Sequence, residues 1–395
     1  MTDATPHAQS TSSSLAPIYV ASMVCSMGMM GFVAASGPLA VSLSLEAWQI
    51  GLSAMAGGLG WVLSARYWGR TADKVGRKPV LLGGLTGFIL GYAVLCLGVL
   101  AGQHWNLAAP AVLTILIVSR FGMGLSYSAV PAAGAAVIAD RFTADERSGA
   151  MGRLGAAQAS GLLLGPGAVA LLAGSSPSMV LVILALLPIF ALGFILARLP
   201  NDMPRADATA KHLALSDPRL IRAVLSAVLA MIAVGIAQIV IGFVAMDRLS
   251  LPENAALLLA GSALTAVGIS LIVAQLVVKS LGWHPTTLIR VGSGIAALGC
   301  LAAAVAPTPF SLVLSYALAG FGAGWAFPGI NAYAANSVSR EEQGRAAGAV
   351  SSAMGLGAML GPLLGGFAYQ LSEMLPLLIA AVAFTVAIWI PRSSA

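Results

Sequence analysis

Apolar runs of about 20 residues, each long enough to cross a bilayer core, recur along the entire chain. They fall near 15–43, 51–68, 79–101, 108–138, 148–173, 178–198, 220–246, 255–279, 286–306, 310–337, 344–371 and 374–391. Hydrocarbon offers a lipid-exposed backbone no hydrogen-bond partner, so a spanning segment must satisfy its own N–H and C=O groups. Continuous runs do this as helices, and a barrel of alternating strands does not fit them. The chain is therefore expected to be an all-α polytopic membrane protein with twelve transmembrane helices. With 9% charged residues, 58% apolar residues and a mean hydropathy of +0.92, a soluble fold of 395 residues is excluded.

Twelve spans place both termini on one side. If that side is cytoplasmic, 18 of the 20 basic residues lie in inside segments, leaving Arg248 outside and Arg120 within a span. This is the positive-inside pattern. The net charge of +6 is thus a topology signal and does not indicate a nucleic-acid partner. The expected location is a plasma membrane, the bacterial inner membrane, with both termini cytoplasmic. The bilayer and a small-molecule substrate are the expected partners of a monomer. Residues 1–14 read as a disordered cytoplasmic tail without the basic start of a signal peptide. Cys25, Cys96 and Cys300 lie in apolar runs without metal-ligand spacing, and no metal, cofactor or disulfide is expected.

The polar segment 199–219 is a cytoplasmic linker that separates bundle 15–198 from bundle 220–395. The halves are related. The segment from Thr143 aligns without gaps on the segment from Ser339, pairing Glu146 with Glu342, Gly161 with Gly357, and Gly165-Pro166 with Gly361-Pro362. Each begins with a capping box, Thr143 with Glu146 and Ser339 with Glu342. Two pseudo-symmetric six-helix bundles around a midplane site are the architecture of many secondary transporters.

Three motifs carry a family resemblance. GRTADKVGRK holds Gly69, Asp73, Gly76, Arg77 and Lys78, with Thr71 where leucine is usual. Arg120 and Gly124 form a second motif, with Met123 and Ser126 as departures. The third, Gly161, Gly165 and Pro166, continues with Val169-Ala170 where a glycine pair is usual; Gly357, Gly361, Pro362, Gly365 and Gly366 complete it in the second half. The chain resembles the major facilitator superfamily, particularly its twelve-span drug/proton antiporter branch. The resemblance implies two bundles, alternating access, and a cytoplasmic gate in which Asp73 lies against the start of span eleven. It also favours export.

The residues can be read physically beside that resemblance. Asp73 is either a solvated acid in a topology anchor or a latch on the positive end of a helix, worth about 0.3–1 kcal/mol. Arg70 or Arg77 can pair with Asp140. The second-half segment 277–285 places Lys279 near the position of the acid, which would make the latch one-sided. Arg120 costs about 2.5–3.5 kcal/mol at the membrane centre. Such a residue is either a structural arginine, bonded to carbonyls or Gln158, or part of a substrate or proton pathway. Tyr127, Gln158, Gln238, Asn331 and Trp325 are further candidates for that pathway, and each also suits a helix–helix hydrogen bond. No acid or histidine accompanies Arg120 at depth, which favours anionic, zwitterionic or neutral substrates. The Gly161/Gly165 and Gly357/Gly361 stripes suit close packing, and Pro166 and Pro362 suit hinges. The expected function is export of a small organic molecule by proton-coupled antiport, with the proton as coupling ion. The alternatives are a specific anion or siderophore exporter, an importer, and a non-transporting sensor. No paired acids, nucleophile–histidine set or metal spacing suggests an enzyme.

Overall fold

The computed structural model describes residues 15–105, 107–142, 144–200, 217–339 and 342–390. The tail 1–14, most of the linker, Thr143 and the side chain of Lys279 lie outside the described residues. Thirteen helices account for nearly all of what is described: α1 (Ala16–Ser42), α2 (Ala47–Val75), α3 (Arg77–His104), α4 (Ala109–Tyr127), α5 (Ala129–Arg141), α6 (Ala144–Leu171), α7 (Pro177–Arg198), α8 (Ile221–Asp247), α9 (Glu253–Leu281), α10 (Pro285–Val305), α11 (Pro309–Asn336), α12 (Gln343–Leu371) and α13 (Leu375–Trp389).

Twelve spans become thirteen helices because α4 and α5 are one span interrupted at Ser128. Pro131 has no N–H for the carbonyl of Tyr127, and its ring crowds that carbonyl. Side chains of α2 stabilise the bend. Trp68 Nε1 and Ser64 Oγ both donate to the carbonyl of Leu125, at 2.6 and 2.9 Å. Ser64 Oγ also lies 2.7 Å from the Ser128 hydroxyl.

The segment WGRTADKV, expected in a loop, is helical to Val75. The turn to α3 is a single residue, Gly76, at φ 99° and ψ 162°. Only glycine adopts that region without strain. Gly76→Ala should therefore destabilise the fold by roughly 1–3 kcal/mol, measurable as a lowered thermal midpoint in detergent. An unchanged midpoint would show that the turn relaxes. The second half solves the same turn differently: Gly282, at φ 59°, follows α9, and α10 starts at Pro285. On the opposite face the halves agree more closely. Ser44 after α1 and Ser250 after α8 both take positive φ, 53° and 50°.

α1–α7 form one bundle and α8–α13 the other; one buried cluster fills the first and continues into the second, and another lies within the second. The glycine stripes set the helix spacing within each bundle. A side chain at Gly165 would meet the Met27 carbonyl of α1 at 2.6 Å, and one at Gly357 the Val228 carbonyl of α8 at 2.5 Å. Gly161 and Gly361 face the same two neighbours. The repeat seen in the sequence is thus a repeat of packing: α6 on α1, and α12 on α8.

Candidate functional site

Among the described residues, the close glycine contacts between the bundles lie in the half of the molecule away from the basic connectors. Gly51 of α2 abuts the Pro362 carbonyl, Gly58 comes against Met359, and Gly366 of α12 sits against the Ala47 carbonyl. On the other side, Gly261 of α9 packs on Pro166 and Ala170 of α6, and Gly268 on Leu163. Gly37 of α1 and Gly242 of α8 touch backbone to backbone. Polar and aromatic groups reinforce the first seam. Glu46 Oε2 accepts from Trp48 Nε1 at 2.7 Å and from Gln370 Nε2 of α12, and Trp48 stacks on Phe367 with centroids 5.5 Å apart. The α2–α12 contact runs out near Val62 and Gly355, where a Cβ on the glycine would be 3.7 Å away. Towards the basic face, Gly149, Gly152 and Gly155 of α6 and Gly344 and Gly348 of α12 have nothing within 4 Å of a would-be side chain. Among the described residues these seams close the face away from the basic connectors, and the glycines of α6 and α12 towards the basic face stand open.

Arg120 lies at the depth where the seal begins. It is 2% exposed. Its guanidinium carbon sits 4.5 Å from the centroid of the Phe32 ring. Nη1 donates to Met29 Sδ at 3.3 Å, and Nε has no hydrogen-bond partner. Gly57 gives it room, because a Cβ there would be 3.4 Å from Nη2. Gly124 makes the fit possible from α4, lying directly against the Gly57 carbonyl of α2. About two turns towards the basic face, Tyr127 Oη is 2.8 Å from Ser26 Oγ, and its ring lies near Trp61 and Phe88, at 5.9 and 6.2 Å between centroids.

The remaining pathway candidates are not gathered at Arg120. Gln158 on α6 and Gln238 on α8 are half-buried. Asn331 is exposed on α11, with Nδ2 donating to the Phe327 carbonyl at 3.0 Å. Trp325 is built into the packing of α9 on α11. Its Nε1 donates to the Ala274 carbonyl at 3.0 Å, and its ring meets Phe321 and Trp283. Met29 and Phe32, which touch Arg120, were not among the sequence candidates. Both sit in an apolar run, and only the spacing from a recognised midplane arginine could have flagged them.

At the basic face Arg77 is the hub of the gate motif. It is buried, with Nη2 3.1 Å from Asp73 and Nε 2.9 Å from Asp140, while Nη1 donates to the Ala72 carbonyl at 2.6 Å. The Nε contact is an ion pair without the alignment of a hydrogen bond. Lys78 Nζ reaches the Leu196 carbonyl at 3.4 Å, and Gly69 faces open space. All these contacts lie within the first bundle. Among the described residues Asp73 pairs with Arg77 and not with α12, because the bundles are separated on this face.

The start of α12 holds its own acid. Glu342 takes Arg219 at 2.8 Å and Arg345 at 3.5 Å, and it accepts from the Ser339 N–H at 3.4 Å, which is half of the expected capping box. Arg219 also grips Asp217 at 2.9 Å. Hydrogen bonds from Arg219 hold both carboxyls below their usual range and raise the guanidinium in turn. The tie between the α8 approach and the α12 start is therefore intact at neutral pH and is lost as pH falls through those lowered values.

A family model described as Major Facilitator Superfamily matches residues 18–309 and again 287–395. Among curated relatives, the class D tetracycline resistance protein of Salmonella ordonez is 38% identical over 119 residues, 30% of this chain and 27% of that protein. Multidrug resistance protein 2 of Bacillus subtilis is 34% identical over 113 residues, 29% and 25% of the two chains. A triacylglyceride transporter of Mycolicibacterium smegmatis is 32% identical over 108 residues, 27% and 17%. The matches thus span about a quarter or less of these relatives' length. Among solved structures, an inward-facing, occupied bacterial homologue of the human lysosomal transporter Spinster superposes with a TM-score of 0.74 at 14% identity, covering 95% of this chain and 93% of the other. The human organic anion transporter MFSD10 gives 0.64 at 19% identity, covering 95% and 99%. The fold and the family model agree, and the chain belongs to the Major Facilitator Superfamily.

Proposed function

We propose that the protein is a secondary transporter that exports a small organic molecule by alternating access, as a proton-coupled antiporter and as a monomer in the bacterial inner membrane. The observation that carries this reading is the asymmetry between the faces. Glycine seams close one half of the bundle interface, the other half is open, and a buried arginine marks the boundary. The positive-inside pattern makes the open face cytoplasmic, with both termini on that side. The state described is then the one that takes up substrate from the cell.

In this cycle the two bundles rock about the level of Arg120. Arg120 and Tyr127 line the substrate or proton pathway, with Gln158, Gln238 and Asn331 as unassigned polar groups along it. Trp325 serves better as an anchor of α11. Arg77 holds the end of α2 and the end of α5 as one rigid corner through Asp73 and Asp140. When the cytoplasmic face closes, Asp73 meets the start of α12 and acts as its latch. Gly161, Gly165 and Pro166, with Gly357, Gly361 and Pro362, keep α6 and α12 close to their partners while they tilt. The tetracycline and multidrug resistance relatives support export.

Transport in inside-out vesicles checks this. With the interior acid, purified protein should concentrate at least one compound from a panel that includes tetracycline, and collapsing the pH gradient should release it. Accumulation that ignores the gradient removes proton coupling. Accumulation only with the gradient reversed makes the protein an importer.

A further inference from the structure

We infer that the substrate is an amphiphilic organic anion, and that its carboxylate or sulfonate head docks on Arg120 in place of the Met29 thioether. This rests on the transporter reading above and names its substrate class. The guanidinium has five N–H donors. One of them reaches a sulfur, a weak acceptor, and no oxygen accepts from the group among the described residues. A buried cation in this condition has the Phe32 ring face and the Met29 sulfur to set against the cost of its burial. All fourteen acids of the chain lie in the tail, the connectors or near helix ends, so no internal carboxylate is available at this depth.

The surroundings define the rest of the ligand. Met29, the side chain that covers the guanidinium, is itself only half-buried. It is unbranched and flexible, which suits displacement. On the basic side of this contact Tyr127 bonds Ser26, about one turn of α1 from Met29, and its ring lies 5.9 Å from that of Trp61, whose side chain is partly exposed. An anionic head with an apolar or aromatic body complements these groups. An inorganic anion would leave the aromatic wall unused, and an organic cation would meet Arg120 directly.

A matched series tests the assignment: 4-phenylbutyrate, 4-phenylbutanol and 4-phenylbutylamine share one apolar body and differ in charge. Binding is read as the shift in thermal midpoint of the full chain in phosphatidylcholine nanodiscs. The acid should stabilise the protein more than the alcohol, and the amine least. Arg120→Gln should weaken acid binding by roughly tenfold or more, as for loss of a charged hydrogen bond. It should leave the alcohol unchanged. Met29→Leu, which removes the sulfur and keeps the bulk, should tighten the acid. If Arg120→Gln fails to fold, Arg120→Lys and Met29→Leu still decide the matter, because both must change acid binding and spare the alcohol.

Equal stabilisation by all three compounds overturns the assignment, as does an acid preference that survives Arg120→Gln. If phosphatidylglycerol in place of phosphatidylcholine gives the same Arg120-dependent stabilisation without added acid, the site holds a lipid head, and the small-anion substrate is overturned. PH-gradient-driven vesicle transport with no acid preference defeats the substrate class alone. Acid binding without transport of any compound defeats the transporter reading instead.

Discussion

Gly366→Leu is expected to pry open the sealed face and shift the protein towards the conformation open on the side away from the basic connectors. A Cβ at this position would stand 2.5 Å from the Ala47 carbonyl and 2.6 Å from the Trp48 Cα, both backbone atoms of the other bundle. Neither atom can rotate away, so the seam must separate. Overpacking of this kind costs about 1–3 kcal/mol. If that cost falls only on the sealed state, the conformational ratio changes roughly 5- to 150-fold. The packing inside the second bundle should survive, because Gly357, Gly361 and Gly365 meet α8 on a different face of α12. The measurement is the distance between spin labels placed by Ser44→Cys and Ser372→Cys. Native Cys25, Cys96 and Cys300 are buried and need not be removed. A lengthened distance with an unchanged thermal midpoint is the expected result. An unchanged distance would mean that this seam does not control closure.

Arg77→Ala should have the second-largest effect, on stability as well as on the cycle. Arg77 is buried, so the change removes an ordered side chain, uncovers the Ala72 carbonyl at the end of α2, and leaves Asp73 and Asp140 facing each other without a cation. Hydrogen bonds to charged groups are worth about 1.5–3 kcal/mol. The exposure of Asp73 (46%) and Asp140 (31%) puts the expected loss nearer the lower end of that range. Arg77→Lys should recover little, since a point charge cannot serve a carbonyl and two carboxylates along fixed directions. Thermal midpoints of the two variants, compared with Asp73→Asn, measure this. If Asp73→Asn costs as much as Arg77→Ala, the hub is the acid and the assignment made from the geometry is wrong.

Hydropathy located the spans because the bilayer imposes one rule on every one of them. The same rule hid the details. α2 runs on to Val75, beyond its apolar stretch, since its charged last turns lie outside the hydrocarbon and cost nothing in helical form. The break at Ser128 was readable from Pro131, although the side chains that stabilise it, Ser64 and Trp68, are about sixty residues away. Arg120 was legible as a lone charge at depth. Its partners were not, because Met29 and Phe32 carry no polar signal. Glu46 and Gln370 went unnoticed for a different reason: 324 positions separate them, and each looks like an ordinary interfacial residue in its own helix. Asp73 shows the limit of any single conformation. Among the described residues it pairs with Arg77, and the contact with the start of α12 that the family resemblance implied does not appear in this arrangement.

The two seams show why the glycine pair is complete in α12 and absent from α6. Gly366 of α12 faces Ala47, whereas its counterpart Ala170 of α6 faces Gly261. At the first seam the α12 glycine meets the backbone of Ala47 and Trp48, and at the second the glycine belongs to α9 and meets the backbone and Cβ of Ala170. What the fold requires is a sum of two small volumes across each seam, and either helix can supply the smaller one. A signature written along one helix therefore records half of a constraint. The other half, here Gly261 against Ala170, lies in a helix that the signature never mentions.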